Sequence, residues 1–246
     1  MEYKIISAKE DVSQIGLQNE VSQELWPEFM FHDPISNERW MKIFDIFPEY
    51  QISLMEDEKI IGFANSIAFH WDEPLEGLPE EGWDWTLIKS FEDNLNSTKP
   101  NVLSGLQISV AKEYQGTGAS SIIVGEMKTL AQKRGFEYLL VPVRPNLKCK
   151  YPLIPIDNYV KWMRADGLPF DPWLRVHVRQ GGKIIKVCHK AMYIPGTISD
   201  WEEWTGLKLS ESGDYVIDGA LVPVKIDCSK DLGEYIEPNV WVAYKL

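Results

Sequence analysis

The sequence predicts a mixed α/β fold, and three observations carry that expectation. Short apolar runs with period-two alternation recur from "YKIISA" at Tyr3–Ala8 to the closing "VWVAYKL". A well-marked helix sits between two such runs, with Ile122, Ile123, Met127, Leu130 and Ala131 at helical spacing. The chain has 246 residues, 44% hydrophobic and 12% aromatic, enough apolar material for one large domain with a buried core.

In chain order, "YKIISA" reads as a strand and Lys9–Trp26 as a helix that Pro27 interrupts. "QISLMEDEKIIGFANSIAFHW" reads as a hairpin about the polar turn Glu56–Lys59. Residues 72–100, with Pro74, Pro79 and Pro100, read as a loop around a short helix near Trp85–Leu95. "VLSGLQISVA" is the next strand, with Leu106, Ile108 and Val110 on one face. The marked helix then ends at Lys133-Arg134-Gly135, cations in its last turn and glycine as its stop. "EYLLVPVRP" is apolar enough for a central strand, "IPIDNYVKWMRADG" is a short helix, and "WLRVHVRQGGKIIKVC" reads as a hairpin turning at Gly181-Gly182. "WEEWTG" and short strands at "DYVIDG" and "LVPVKI" complete a C-terminal β-rich segment. The whole is expected to be a single domain over residues 1–246, a core of about 1–195 plus an extension of about 196–246.

Composition narrows the function. A formal charge of −12 argues against nucleic acid, whose nonspecific affinity comes from Lys and Arg neutralising phosphates. No run resembles a membrane span and "MEYKIISAKEDVSQ" lacks the basic and apolar regions of a secretory signal, so a cytoplasmic protein is expected. Cys149, Cys188 and Cys228 are widely spaced and odd in number, which suits reduced thiols, and the four scattered histidines lack zinc-site spacing. No metal is implied.

The chemistry concentrates in the turn "QGTGAS", Gln115–Ser120, between a strand and the helix start. Such a turn offers unpaired backbone N–H groups backed by the helix dipole, and Gly116 and Gly118 permit positive φ and close approach of a phosphate. It is neither a Walker loop, since no lysine follows Gly118, nor GxGxxG, since Ser121 follows where the last glycine belongs. The stretch Leu106–Val143 resembles the acetyl-CoA-binding core of the GNAT N-acetyltransferases, with Gln115, Gly118 and Ser120 on the three defining positions of Q/R-x-x-G-x-G/A. Ser120 replaces the usual glycine or alanine. "LPEEGWDW", "PLIP", "DGLPFDPWLRVHV" and "EPNVWV" also resemble a bacterial branch of that superfamily.

The resemblance implies a mostly antiparallel sheet with splayed central strands flanked by helices, and an acyl-CoA co-substrate, most simply acetyl-CoA. It implies cofactor contacts from the Ile108 and Val110 backbone, from Gln115, Gly116, Thr117, Gly118, Ala119 and Ser120, and from Asn146. It implies direct amine attack in a ternary complex, and a tyrosine, Tyr159 or Tyr151, as proton donor to the leaving thiolate. A covalent relay would fall to Cys149, flanked by Lys148 and Lys150. For the acceptor, a small-molecule amine is favoured over a protein. "EEGWDW" offers Glu80, Glu81 and Asp84 beside Trp83 and Trp85, against the alternative that the tryptophans simply pack. Arg175 would bind an acceptor carboxylate or pair with Asp171. Noncatalytic acyl-CoA binding and ligand-free homodimerisation are the alternatives the sequence leaves open.

Overall fold

The structure, a computed structural model, describes residues 3–246. β1 (Lys4–Ser7) leads to α1 (Gln14–Leu25). The helix starts later than Lys9 because Glu10 and Asp11 turn back to accept from the Ser7 and Ser13 amides. Two short helices follow, α2 (Pro34–Arg39), capped by Asp33, and α3 (Ile43–Ile46). β2 (Gln51–Glu56) and β3 (Lys59–Phe69) form the predicted hairpin, with Asp57 at φ 52° in its turn. α4 (Gly82–Leu95) takes in "GWDW", which had read as loop.

β4 (Val102–Val110), α5 (Ala119–Lys133) and β5 (Tyr138–Val143) form the expected strand–turn–helix–strand unit. α6 (Ile156–Tyr159) is a single turn. α7 (Pro172–Arg179) corrects the expected hairpin: residues 172–179 are helix, and only β6 (Lys183–Gly196) is strand. Two physical causes decide this. Asp171 caps the helix, accepting from Trp173 N and Leu174 N, and Pro172 at the first helical position has its φ preset. The glycine pair then stops the helix rather than turning a hairpin: Gly181 stands at φ 89°, and Gly181 N and Gly182 N donate to Val178 O and His177 O. His177 points into the core beside Tyr244, and burial pushes its pKa down to about 3, so it is neutral there.

α8 (Ile198–Thr205) carries a capping box between Thr197 and Asp200, which assigns "DWEEW" a structural role. β7 (Gly213–Tyr215), β8 (Val224–Asp227) and β9 (Leu232–Lys245) end the chain.

The strands make one sheet in the order β1-β2-β3-β4-β5-β9-β8-β7, with β6 also on β9. Every pairing is antiparallel except β4 with β5. β9 pairs along the whole of β5, from Tyr138↔Lys245 to Val143↔Val240, so the C-terminal segment completes the central sheet. It also supplies Tyr235, Trp241 and Tyr244, fully buried with Trp201 of α8 in the continuous core. Among the described residues, no helix is long and apolar enough to cross a membrane.

Candidate active site

The parallel pair β4–β5 holds together only from Val102 to Ser104, opposite Tyr138 to Leu140, and then opens. Beyond that point β4 stays paired to β3 and β5 to β9, so the two facing edges separate with no strand between them. A bulge accompanies the opening. The β3–β4 register steps from Asn65↔Gln107 to Ser66↔Gly105, which leaves Leu106 without an opposite residue, and the Trp83 indole N–H donates to the Leu106 carbonyl at 2.8 Å. The resulting cleft has a volume of about 750 Å³ and is walled by residues 105–110 of β4 and 141–144 at the end of β5.

On the β4 side, the Ala111 amide donates to Ile61 O of β3. Backbone groups two residues apart on a strand face the same edge, so Ile108 and Val110 turn theirs toward the cleft. The Val110 carbonyl accepts from the Gln115 side chain at 3.2 Å. Ile108, Val110 and Gln115 all line the cleft.

The cleft runs into the glycine turn. Gly116 stands at φ 80° and Gly118 at φ 95°, and an added Cβ at either would meet nothing within 4 Å. Both therefore face open space in a backbone conformation that L side chains rarely adopt. The Gln115 and Thr117 amides are used inside the turn, by Lys112 O and Tyr114 O. Among the described residues, the Gly116, Gly118, Ala119 and Ser120 amides have no backbone acceptor, and the last of these belong to the first turn of the 15-residue α5. Together they present unpaired N–H donors at the positive end of a helix dipole, a geometry that suits an anion. Thr117, whose hydroxyl donates to Tyr114 O, stabilises the turn and does not line the cleft.

α7, a helix where a hairpin had been expected, forms part of the opposite wall. Pro172, Arg175, Val176 and Arg179 all line the cleft, spaced as one helical face. Arg175 does not pair with Asp171: its Nη1 donates to Pro169 O and Phe170 O, both at 2.9 Å, while Asp171 caps the helix. Asn146 and Cys149 both line the cleft. The ammonium of Lys148 makes its hydrogen bonds to backbone carbonyls rather than to Cys149. It is buried against the Tyr151 and Leu221 carbonyls, and burial lowers its pKa to about 8.

The proposed tyrosines lie elsewhere. Tyr159 is 1% exposed, its hydroxyl donates to Asp171 Oδ2 at 2.9 Å, and burial followed by the Asp171 charge raises its pKa. Tyr151 packs edge-on to Trp162 and Phe170 in the same aromatic cluster. Neither residue is in the cleft wall.

Three further cleft residues carried no local sequence signal. Arg144, after β5, donates from Nε to Glu237 Oε2 at 2.9 Å and from Nη2 to Gly219 O at 2.6 Å. Glu237 also accepts from Tyr235 and Asn239, so Arg144, Glu237 and Asn239 form one network on the cleft floor.

Nearby, Asp33 and Asp84 interact through their side chains. Asp33 Oδ2 and Asp84 Oδ1 are buried without another partner, whereas the second oxygens accept from Ser36 N and Tyr193 N. Burial raises both carboxyls, for Asp84 reinforced by the Asp33 charge, which favours protonation of the pair. Asp84 is thus a buried acid rather than part of an exposed loop. Glu80 is tied to Lys186 and His189, and Trp85 packs on Phe69 and Trp71.

The sign of the linkage follows. A carboxyl raised in the folded state contributes fully below its unfolded pKa of about 3.9, and stability falls as pH climbs from there toward the folded value. Asp84→Asn keeps an acceptor for Tyr193 and supplies an N–H for Asp33. Thermal melts are expected to show this variant about 1–2 kcal/mol more stable than wild type at pH 8, with the advantage vanishing near pH 4. An equal difference at both pH values would contradict protonation of the pair.

Among the described residues, no group of His, Cys, Asp and Glu is placed to hold a metal ion. No family model matches the chain. It is 32% identical over 250 residues to the arginine N-acetyltransferase avaD of Aspergillus versicolor, an alignment covering 90% of this chain and 86% of that protein. Its fold is similar to the loading GNATL domain of CurA from Lyngbya majuscula, with a TM-score of 0.63 at 20% identity over 100% of this chain and 98% of that one. A GphF GNAT-like decarboxylase in complex with isobutyryl-CoA gives a TM-score of 0.57 at 13% identity, over 100% and 99% of the two chains. The last two likenesses concern the fold, whereas the fungal relative matches in sequence along most of both chains. With the opened strand pair and the amide-lined turn, that match establishes that the chain belongs to the GNAT superfamily of N-acetyltransferases.

Proposed function

We propose that the protein transfers an acetyl group from acetyl-CoA to a small-molecule primary amine, by direct attack within a ternary complex. The observation that carries this reading is the cleft between β4 and β5 running into the unpaired amides of the α5 turn. An extended polyamide arm with a diphosphate at one end matches that shape: strand edge for the arm, helix N-terminus for the phosphates. The acetyl group and the nitrogen acceptor are supported by the fungal relative, an arginine N-acetyltransferase.

Bound acetyl-CoA would supply the activated acyl carbon. The residues of this chain would hold and orient it: the Gly116 and Gly118–Ser120 amides at the diphosphate, the Ile108 and Val110 backbone along the arm, and Asn146 near the cleft's far wall. Arg175 and Arg179 add positive charge on the α7 side, which suits further phosphate. Amide donors along the opened edge of β4 would stabilise charge on the reacting carbonyl. A thiol with a pKa near about 8.5 leaves as the thiolate without an obligatory protein acid, so the packed position of Tyr159 is compatible with turnover.

Two measurements follow. Incubation with acetyl-CoA and a panel of small amines should release CoA thiol only when an accepting amine is present, with acetylated product of equal amount by mass spectrometry. Acetyl-CoA binding without transfer to any amine would instead favour a noncatalytic binding module. Tyr159→Phe should keep kcat within about twofold of wild type and lose about 1 kcal/mol of stability, the worth of one hydrogen bond. A kcat drop of a hundredfold would restore Tyr159 as a catalytic residue.

A further inference from the structure

A second hollow of about 650 Å³ joins the cleft and shares Trp26, Met30, Trp83, Leu106, Gln107 and Met192 with it. It lies beside the bulge at Leu106, so a molecule inside it reaches the opened strands past Gln107. Its volume lies within the range of small-molecule sites.

The lining is selective. Trp26, Trp40, Trp83 and Phe31 supply aromatic surface, and the Trp40 and Trp83 rings stack with centroids 6.0 Å apart at 22°. Glu28 brings a carboxylate to the rim, with its side chain 61% exposed and its Oε1 3.2 Å from His32 Nε2. Among the described residues lining the hollow there is no lysine or arginine. The guanidinium of Arg144 lies 5.5 Å from the Trp26 ring centroid and is paired with Glu237, and that of Arg39 is paired with Glu38. Aromatic faces and a carboxylate, with no lysine or arginine in the lining, favour positive charge over negative. Asn19, Ser22 and Gln107 add polar groups able to orient an acceptor.

We propose that this hollow is the acceptor pocket and that it selects a small molecule carrying a guanidinium or ammonium group held against Trp40, Trp83 and Glu28. This deepens the acetyltransferase reading and rests on it for the identity of the reaction. In that reaction the amine nitrogen bonds to the acyl carbon as the carbon–sulfur bond breaks, and the amine's proton is lost as CoA thiol forms. Trp40 and Glu28 are specificity residues that touch the acceptor away from the bond being made.

The test is calorimetric titration of the CoA-loaded protein with arginine and agmatine, against citrulline, which replaces the guanidinium of arginine with a neutral urea of the same shape. At least one of the cations should bind about tenfold or more tightly than citrulline. Trp40→Leu should weaken that binding about 3- to 30-fold, the range of a cation–π contact, and leave the CoA affinity unchanged. Glu28→Gln, at an exposed position that leaves folding intact, should weaken it about threefold and more so at low salt. Citrulline binding as tightly as the cations, no binding of either cation, or variants without effect on a bound cation would each overturn the proposal. Acetyl transfer measured in parallel separates the two claims: selective cation binding without transfer upholds the pocket and counts against the reaction, and transfer without charge preference does the reverse.

Discussion

Ser120→Glu should weaken acetyl-CoA binding roughly a hundredfold while leaving the fold as stable as before or slightly more so. Ser120 sits in the first turn of α5, where its amide is free of backbone acceptors. A carboxylate there favours the helix dipole by about 0.3–1 kcal/mol, so the melting temperature should hold or rise. The same carboxylate would stand where the diphosphate is proposed to bind. Two unit charges about 4 Å apart near a protein surface repel by about 4 kcal/mol, and solvent screening still leaves roughly a hundredfold loss of affinity. Ser120→Ala, which removes only a hydroxyl, should cost no more than about tenfold. Stability and binding moving in opposite directions is the signature, since a merely damaged helix would lose both. Undiminished titration of Ser120→Glu with acetyl-CoA would mean that the phosphates bind elsewhere.

Arg144→Met should be the most destabilising single change in the cleft. Its partner Glu237 is 1% exposed and would be left as a buried carboxylate with hydrogen bonds from Tyr235 and Asn239 but no cation paired to it. Removing one member of a buried ion pair costs about 3–5 kcal/mol, which for a chain of this length lowers the melting temperature by about 10 °C. The stranded charge, not the lost contact, is the larger part of that cost. Adding Glu237→Gln to Arg144→Met should therefore recover part of the loss, and a double-mutant cycle measures the coupling directly. If the double variant were as unstable as the sum of the singles, the ion pair would not be the cause.

The strand–turn–helix–strand unit was legible because everything that defines it is local. Period-two alternation marks β4, helical spacing marks α5, and Gly116, Gly118 and Gly135 each stand where a positive φ is needed. The glycine turn at Gln115–Ser120 was legible for the same reason. α7 was misread because Leu174, Val176 and Val178 alternate as a strand would, and because Gly181-Gly182 suits a hairpin as well as a helix stop. The deciding signal was Asp171-Pro172, an N-cap followed by a proline at the first helical position. That error hid the helical face that sets Arg179 beside Arg175 in the cleft wall.

Other parts of the site depend on pairings that no window of sequence contains. Arg144 and Glu237 are 93 residues apart, and they meet because β9 pairs with β5. The bulge at Leu106 is a relation between two strands, and Trp83 holds its carbonyl from a helix that had read partly as loop. Tyr159 shows the converse limit. Its residue type and position suited a proton donor, but its environment is set by Asp171, Tyr151, Trp162 and Phe170, which close around it in the fold.

The most direct test of the central claim is a crystal structure of the protein with CoA. The pantetheine arm is expected between residues 105–110 and 141–144, with its diphosphate against the Gly116, Gly118, Ala119 and Ser120 amides and its sulfur toward Gln107. CoA bound outside the β4–β5 cleft, or a cleft that stays closed to it at saturating concentration, would contradict the assignment.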